Sequence, residues 1–473
     1  MNPIVIPIWA LIAAVTCQAQ PVDVGSRLQL LVDHHLIENL SGSARLQLHG
    51  PQSREIVMEF DQPWEGNTSA VWSIFRDGEI YRMYYRAENY ASIGGKTTHP
   101  SFLCYAESED GIQWHRPSLG LVEFEGSKQN NIISRQIFVP FKDTNPDAPA
   151  DARYKAFRVA TVLNPRRRLL FVHQSKDGIR WKQMHPEPVM TNGVTAHAFD
   201  TVNTAFWDVE RCEYRAYIRD WKEGLRGIKT ATSKDFLTWS DSQWLDYPGA
   251  TQKELYTNMV RPYERNPELF IGFPTRYLRH RDSITEPLFM SSRNGQTFQL
   301  WEESIIRPGR NSDRWGNRCN YIWYGLIETP SDLPGNPMEY SIFSGEHYYM
   351  EGAVKLRRFT YRPDGFVSAN APWSGGGLLT KPLVFNGSRL EINFASAAAG
   401  SVRIEVQDLD GKPCPGFALK DCQQIFGDDL KRSVLWKGNS DIGALAGKPV
   451  RLNIALKDAD LYAFRFRTQR TKP

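Results

Sequence analysis

Ser108–Trp114 (SEDGIQW) indicates the fold of this chain, because the same pattern returns three times further along. The later copies are Ser175–Trp181 (SKDGIRW), Ser233–Trp239 (SKDFLTW) and Ser292–Phe298 (SRNGQTF). Asp-Gly favours a tight turn, and the aromatic residue that follows it begins the next strand. The copies are nearly equally spaced, and each interval has the size of a propeller blade and is too long for most solenoid repeats.

The segments before each copy share one order: an apolar run, a Tyr-rich alternating strand and a second apolar strand. The Tyr-rich or alternating strands are Ile80–Tyr85, Tyr154–Val159, Tyr214–Arg219 and Leu269–Pro274. Four strands per unit predict a β-propeller. A fifth unit is expected at Tyr321–Tyr361, with Arg27–Val32 completing it and closing the ring. The alternative is an open β-sandwich with chance Asp-Gly turns, which near-equal spacing disfavours.

The repeat stops near Ser368, where further alternating strands predict a separate β-sandwich. We therefore expect an all-β chain: a five-bladed β-propeller over residues 20–367, followed by a C-terminal β-sandwich over 368–473. The composition agrees, because a chain with 12% aromatic residues, 35 Gly and 29 Pro suits strands and turns better than helices.

Residues 1–19 form an apolar run followed by polar residues, and Ala19 suits the end of a cleaved leader. They predict a signal peptide, so the protein is expected to be secreted or periplasmic. A membrane anchor is the alternative, but the run is shorter than the roughly 20 apolar residues that a spanning helix needs. No later stretch of the sequence is apolar enough to span a membrane.

Charge and cysteine usage exclude several classes of function. The net charge is +4 with interspersed signs, so no basic field predicts nucleic-acid binding. Five cysteines follow the leader without metal-site spacing, and the histidines show none either, so we expect no metal and no cofactor. Cys414 and Cys422 are close enough in sequence to pair in an oxidising compartment, which the sequence leaves open, as it does the oligomeric state.

Carboxylates at the starts of the innermost strands are the candidates for chemistry, because these strands converge on a central depression. Asp200 precedes the apolar segment Ala205–Trp207 at the start of the third blade, and Glu254 begins the fourth blade in the corresponding place. Paired carboxyl groups are what glycoside hydrolysis requires. The competing interpretation is that both are ordinary turn residues.

This placement of Asp200 and Glu254 resembles the Arg-Asp-Pro and Glu-Cys motifs of glycoside hydrolase family 32, which shares a five-bladed propeller with families 43 and 68. The resemblance spans Leu28–Phe466 in layout, including the C-terminal β-sandwich. It implies that Asp200 stabilises the transition state, that Glu254 is the general acid and that a first-blade aspartate is the nucleophile.

The chain departs from the family pattern in its first blade, which lacks the Trp-x-Asn-Asp-Pro-Asn motif. The family aspartate would fall near Ser69, and Glu65 and Asp33 are the two candidates that replace it. The chain also lacks Arg before Asp200 and Cys after Glu254, so a fructose substrate does not follow.

Further polar and aromatic residues are expected to bind substrate at the same mouth. They are Arg86, Glu88, Asp282, Glu286, Trp315, Asn317 and Arg318. Arginine makes bidentate contacts with carboxylate or sulfate, which would suit an anionic sugar. The alternative is that these arginines form ion pairs between blades.

Three hypotheses follow, all with a carbohydrate as partner. The first is a secreted glycoside hydrolase that acts through two carboxyl groups. The second is a carbohydrate-binding propeller without turnover, which the missing first-blade motif favours. The third is a sialidase-like enzyme, because the repeated turn is similar to the sialidase Asp-box; three arginines around the central pocket would support it, although its spacing differs and sialidases usually have six blades.

Overall fold

A computed structural model describes residues 20–92, 95–163, 166–191, 197–200, 202–251 and 254–468. The predicted leader, residues 1–19, lies outside these ranges. The described chain is all-β, as expected, and its helical segments are three short 3₁₀ turns at Ala150–Ala152, Ser312–Arg314 and Gly443–Leu445. By density of contacts it divides into two compact units, one of residues 30–33 and 46–369 and the other of residues 20–29, 34–45 and 370–468.

The larger unit consists of five four-stranded antiparallel blades, so the predicted propeller is confirmed. The first blade orders its strands Ala70–Asp77, Ile80–Ala87, Phe102–Ser108 and Ile132–Ser134. The second has Phe138–Lys142, Tyr154–Leu163, Arg166–Ser175 and Lys182–Gln183. The third has Thr204–Asp208, Glu213–Lys222, Leu225–Ser233 and Gln243–Trp244.

The fourth and fifth blades complete the ring, and the fourth contains an inserted β-hairpin. The fourth orders Arg261–Tyr263, Asn266–Gly272, Phe289–Ser292 and Gln299–Trp301, and a hairpin of Thr275–Leu278 with Ile284–Pro287 is inserted between its second and third strands. The fifth orders Ile327–Pro330, Met338–Glu346, Lys355–Tyr361 and Gln52–Glu59.

The ring therefore closes on Gln52–Glu59, and the prediction that Arg27–Val32 closes it is wrong. Lys355 pairs with Glu59 and Thr360 with Gln52 in this antiparallel contact. Gln52–Glu59 (QSREIVME) begins with four polar residues and lacks the alternation of apolar and polar residues that predicts a strand, so its local pattern did not identify it. The closing strand buries Met58 beside Leu356 in the apolar core of the first and fifth blades.

The repeated turns have the same hydrogen bonds in all four blades that carry them. In the first copy, the Asp110 carboxylate accepts from the backbone N–H groups of Ile112 and Gln113, both at 2.8 Å. The Ser108 hydroxyl accepts from the Gly111 N–H at 2.9 Å. Gly111 has a positive φ, a conformation that favours glycine. These bonds explain why the motif marks the blades.

The smaller unit forms the expected β-sandwich. Its main sheet orders Ile37–Gly42, Gly376–Thr380, Arg451–Arg467, Arg389–Gln407 and Asp428–Ser433. A parallel pair joins Val22–Gly25 to Leu383–Phe385. The two long strands change register between Ser396 and Ser401 and alternate buried with more exposed residues; Val402, Ile404 and Val406 are fully buried. Short strands Gln29–Leu30, Arg45–Leu48 and Val367–Ala371 lie where the two units divide in sequence.

The five described cysteines are free thiols, so Cys414 and Cys422, whose pairing the sequence left open, are not bonded in this structure. Within the described ranges, no helix is long and apolar enough to cross a membrane.

Candidate functional site

A cavity of about 380 Å³ lies where the first residues of the inner strands meet. Ala70, Val139 and Asn203 contribute to it from the first three blades, and Thr257 and Tyr321 from the segments that precede the inner strands of the last two. A cavity of about 340 Å³ at the other ends of these strands is lined by groups such as Phe75, Phe141 and Phe206 and contains none of the predicted site residues. The candidate site is therefore the first cavity.

Two carboxylates line this cavity among the described residues, Asp200 and Glu88. Asp200 forms ion pairs with Arg219 and, at 3.3 Å, with Arg168, while 40% of its side chain stays exposed. Burial alone would raise the pKa of Asp200, but the two guanidinium groups hold it below its ordinary value. Asp200 is thus an ionised carboxylate that solvent or substrate can reach.

Glu88 lies in a more enclosed environment, with 9% of its side chain exposed. It forms an ion pair with Arg86 at 3.3 Å and accepts hydrogen bonds from the hydroxyls of Ser101 and, at 3.3 Å, Thr68. The arginine and the two hydroxyls therefore fix the position of the Glu88 carboxyl group at the cavity.

An aromatic wall connects the two carboxylates. The Arg219 guanidinium lies 4.7 Å from the centre of the Tyr256 ring, and Tyr256 packs against Tyr321 at 5.5 Å. Tyr321 in turn contacts Tyr348, whose hydroxyl accepts from Arg86 at 3.0 Å. Asp200 and Glu88 are the two ends of this chain of contacts. Such a wall offers apolar ring faces between polar groups, as sugar-binding cavities do.

Glu254 is not among the described residues that line the cavity. Arg226 donates to it at 2.5 Å, and Arg279 makes a fork at 2.7 and 2.8 Å. Burial alone would raise the pKa of Glu254, but hydrogen bonds from the two arginines hold it below its ordinary value. These contacts hold the Arg226 guanidinium group, which lines the cavity, against Glu254.

The structure does not bring the two first-blade candidates to the cavity. Glu65 is buried in an ion pair with Arg116 at 2.9 Å and accepts from the Tyr85 hydroxyl at 2.5 Å. Burial raises the pKa of Glu65 despite Arg116. Asp33 pairs with Arg293 at 3.0 Å, in the repeated turn of the fourth blade. Both carboxylates have structural partners instead of a cavity face.

Of the predicted substrate-binding residues, Arg86, Glu88 and Arg318 line the cavity, whereas Glu286 and Trp315 do not. Glu286 forms an ion pair with Arg276 at 2.6 Å across the inserted hairpin. Trp315 is 58% exposed, and its indole N–H donates to the carbonyl of Gly309 at 2.8 Å.

Sequence reasoning missed Arg168, Arg226 and the tyrosines of the wall. Arg168 belongs to the second hairpin of its blade, where Thr161 pairs with Arg168 two positions from the strand ends. The run of three arginines, 166–168, was a signal that could have identified it, because strands longer than the blade core extend toward a mouth. Within the described part of the chain, no cluster of three or more His, Cys, Asp or Glu could hold a metal ion.

No protein-family model matches the sequence, and no curated protein matches it. Solved structures are similar to it at low identity. A Bombyx mori family 32 β-fructofuranosidase is 11% identical, with 89% of this chain and 94% of that chain covered and a TM-score of 0.40. A family 43 arabinoxylan arabinofuranohydrolase from Bacillus subtilis is 10% identical, with 85% and 96% covered and a TM-score of 0.40.

An endo-arabinase from Bacteroides thetaiotaomicron is 12% identical, with 66% of this chain and 99% of that chain covered and a TM-score of 0.41. At these identities and TM-scores, a shared function does not follow.

Proposed function

We propose that the protein is a glycoside hydrolase that binds its sugar in the cavity at the starts of the inner strands. The observation that supports this most strongly is that two carboxyl groups, Asp200 and Glu88, line one cavity together with an aromatic wall. Two carboxyl groups flanking a sugar are the minimum that glycosidic cleavage needs. The predicted leader adds the proposal that the enzyme acts outside the cytoplasm.

Asp200 is proposed as the ionised member of the pair. The two guanidinium groups hold the pKa of Asp200 below its ordinary value, so the carboxylate is charged at neutral pH and can stabilise an oxocarbenium-like centre or attack it. Glu88 is proposed as the proton donor, because it is the second carboxyl group that lines the cavity and has one arginine partner where Asp200 has two. This assignment replaces Glu254, which two arginines hold in the ionised state.

The test compares Asp200→Asn, Glu88→Gln and the exposed control Glu303→Gln on oligosaccharides and on 2,4-dinitrophenyl glycosides. We expect Asp200→Asn to lose about 10²–10⁴-fold in turnover on both substrate types. Glu88→Gln should lose a similar factor on oligosaccharides but little on the dinitrophenyl glycosides, because that leaving group needs no proton. The control should behave as wild type does.

An equal loss on both substrate types in Glu88→Gln would remove it as the acid. The alternative function is a carbohydrate-binding propeller without turnover, which the pairing of both cavity carboxylates with arginine favours. A sialidase-like enzyme has the arginines it would need, since four line the cavity, but this ring has five blades where sialidases usually have six. Binding of sugars by the wild type without any released product, over neutral, uronic and sulfated oligosaccharides, would establish that alternative instead.

A further inference from the structure

The cavity carries more positive than negative charge. Four arginines line it among the described residues, Arg86, Arg168, Arg226 and Arg318, against the two carboxylates Asp200 and Glu88. A lining with a net charge of about +2 in a partly enclosed space attracts anions, because the low-dielectric walls concentrate the field.

Three of the four arginines have a carboxylate partner. Arg86 pairs with Glu88 at 3.3 Å, Arg168 with Asp200 at 3.3 Å and Arg226 with Glu254 at 2.5 Å. Each of these three arginines therefore has a counter-ion within the protein, although Asp200 is shared with Arg219 and Glu254 with Arg279.

Arg318 differs from the other three, because no described carboxylate lies within 4.0 Å of its guanidinium group. The residues outside the described ranges include no Asp or Glu, so none of their side chains can supply the missing charge. A partly buried guanidinium without a counter-ion costs free energy, which a bound anion would offset. Arg318 is the arginine that remains available.

The surroundings of Arg318 orient it and leave donors unused. Its guanidinium lies 4.9 Å from the centre of the Tyr349 ring and donates to the Tyr349 hydroxyl at 3.1 Å, while its Nε has no hydrogen-bond partner. The backbone at Arg318 has a positive φ, a conformation that a side chain with Cβ adopts at a cost and that recurs at binding sites.

Two further buried donors belong to the same wall. The Tyr321 hydroxyl and the Trp323 indole N–H have no hydrogen-bond partner among the described atoms, although each residue is 4% exposed and lines the cavity. The Tyr321 and Trp323 rings pack at 5.3 Å, and Tyr348 bridges from Tyr321 to Tyr349. Buried donors without partners are uncommon in proteins and suit an oxygen-rich ligand.

We propose that Arg318 is the receptor for a negatively charged substituent of the bound sugar, a carboxylate or a sulfate, so that the substrate is an acidic saccharide. This proposal rests on the proposed function in one respect, that the cavity binds a sugar, and it does not require that the sugar is cleaved. A planar guanidinium fork matches both anions, and the two sources are distinguished by experiment.

The experiment measures binding by titration calorimetry with matched ligand pairs. Uronate oligosaccharides are compared with their methyl esters, and sulfated oligosaccharides with their desulfated forms, on wild type, Arg318→Gln, Arg318→Lys and the exposed control Arg310→Gln. We expect wild type and the control to bind one acidic series at least tenfold more tightly than its neutral partner. Arg318→Gln should lose that preference and keep the neutral affinity, with Arg318→Lys between them.

Added NaCl should reduce the preference of the wild type, because it is electrostatic. The series that shows the preference identifies the substituent as carboxylate or sulfate. Thermal unfolding of Arg318→Gln confirms that the variant is folded when its binding is measured. Equal affinity for acidic and neutral partners in wild type, no binding of either acidic series, or an unchanged preference in Arg318→Gln would each overturn the proposal.

Turnover of the same ligands is followed separately, so the two proposals can fail independently. An Arg318-dependent acidic preference without any cleavage would keep the anion receptor and remove the hydrolase. Cleavage of neutral oligosaccharides with no acidic preference would keep the hydrolase and remove the anion receptor.

Discussion

Asp77 is the last residue of the inner strand of the first blade, and its side chain contacts the second blade. Its carboxylate accepts from the Tyr154 hydroxyl at 2.5 Å and from Arg82 at 2.6 Å, and it pairs with Lys142 at 2.9 Å. Burial alone would raise the pKa of Asp77, but the hydrogen bonds of Tyr154 and Lys142 and the charge of Arg82 lower it to about 2. One ionised carboxylate thus connects two blades.

We predict that this contact makes the protein sensitive to acid. Since the folded pKa lies below the ordinary value of 3.8, the stabilisation is complete above that value and is lost as pH falls toward 2. The shift corresponds to about 2 kcal/mol in the free energy of unfolding. Asp77→Asn should therefore be less stable than wild type by about that amount at pH 6, and the difference should disappear near pH 2, as urea unfolding at both pH values measures.

The exposed Asp332→Asn is the control, and we expect it to match wild type at both pH values. A difference between Asp77→Asn and wild type that stays constant with pH would contradict the linkage and leave only a packing role for Asp77.

In the first four blades, the repeated turn follows the third strand and leads to the fourth. In the second blade, the Asp177 carboxylate accepts from the N–H groups of Ile179 at 2.9 Å and Arg180 at 2.8 Å. In the fourth blade, the side-chain carbonyl of Asn294 accepts the equivalent pair at 2.9 and 2.8 Å. The turn therefore requires a side-chain oxygen that accepts these two hydrogen bonds, and it does not require a negative charge.

We predict that Asp177→Ala lowers the free energy of unfolding by about 1–2 kcal/mol, because two backbone donors lose their partner. Asp177→Asn should lose less than about 0.5 kcal/mol, because an amide oxygen can replace the carboxylate as acceptor, as Asn294 does in the fourth blade. Urea unfolding followed by tryptophan fluorescence measures both. Equal losses in the two variants would show that the charge, and not the acceptor geometry, stabilises the turn.

At the scale of the whole molecule, the propeller is completed by a strand that comes from the other end of its sequence. Gln52–Glu59 pairs with Lys355–Tyr361, so nearly the whole propeller sequence lies between the two partners. Met58 of this strand is 6% exposed and belongs to a core cluster with Phe60, Tyr85 and Leu356. Closure thus depends on burial of one strand face against two blades.

We predict that Met58→Lys destabilises the propeller by about 3 kcal/mol or more, because it places an ammonium group in this core. Ser53→Lys, at an exposed position of the same strand, should change the free energy of unfolding by less than about 0.5 kcal/mol. Thermal unfolding compares the two variants. Similar small effects of both would contradict closure by this strand.

Much of the fold and part of the site followed from local patterns. The four turn copies predicted the blades, because a turn is determined by hydrogen bonds among residues that are neighbours in sequence. Asp200, Arg86, Glu88 and Arg318 were also identified as candidates, because each lies close to the start or end of a blade strand that the repeat located.

The remaining features depend on contacts between distant segments, which local patterns do not encode. Gln52–Glu59 lacks the alternation of apolar and polar residues that predicts a strand, and only its pairing with the edge of Lys355–Tyr361 makes it the closing strand. Likewise, Glu65 pairs with Arg116, and Glu254 pairs with Arg226 and Arg279, and neither carboxylate is among the described residues that line the cavity. The sequence alone therefore determined the turns, the strands and the number of blades, whereas the closing strand and the side chains that face the cavity were decided by tertiary pairing, because partner choice depends on which edges and charges folding brings together.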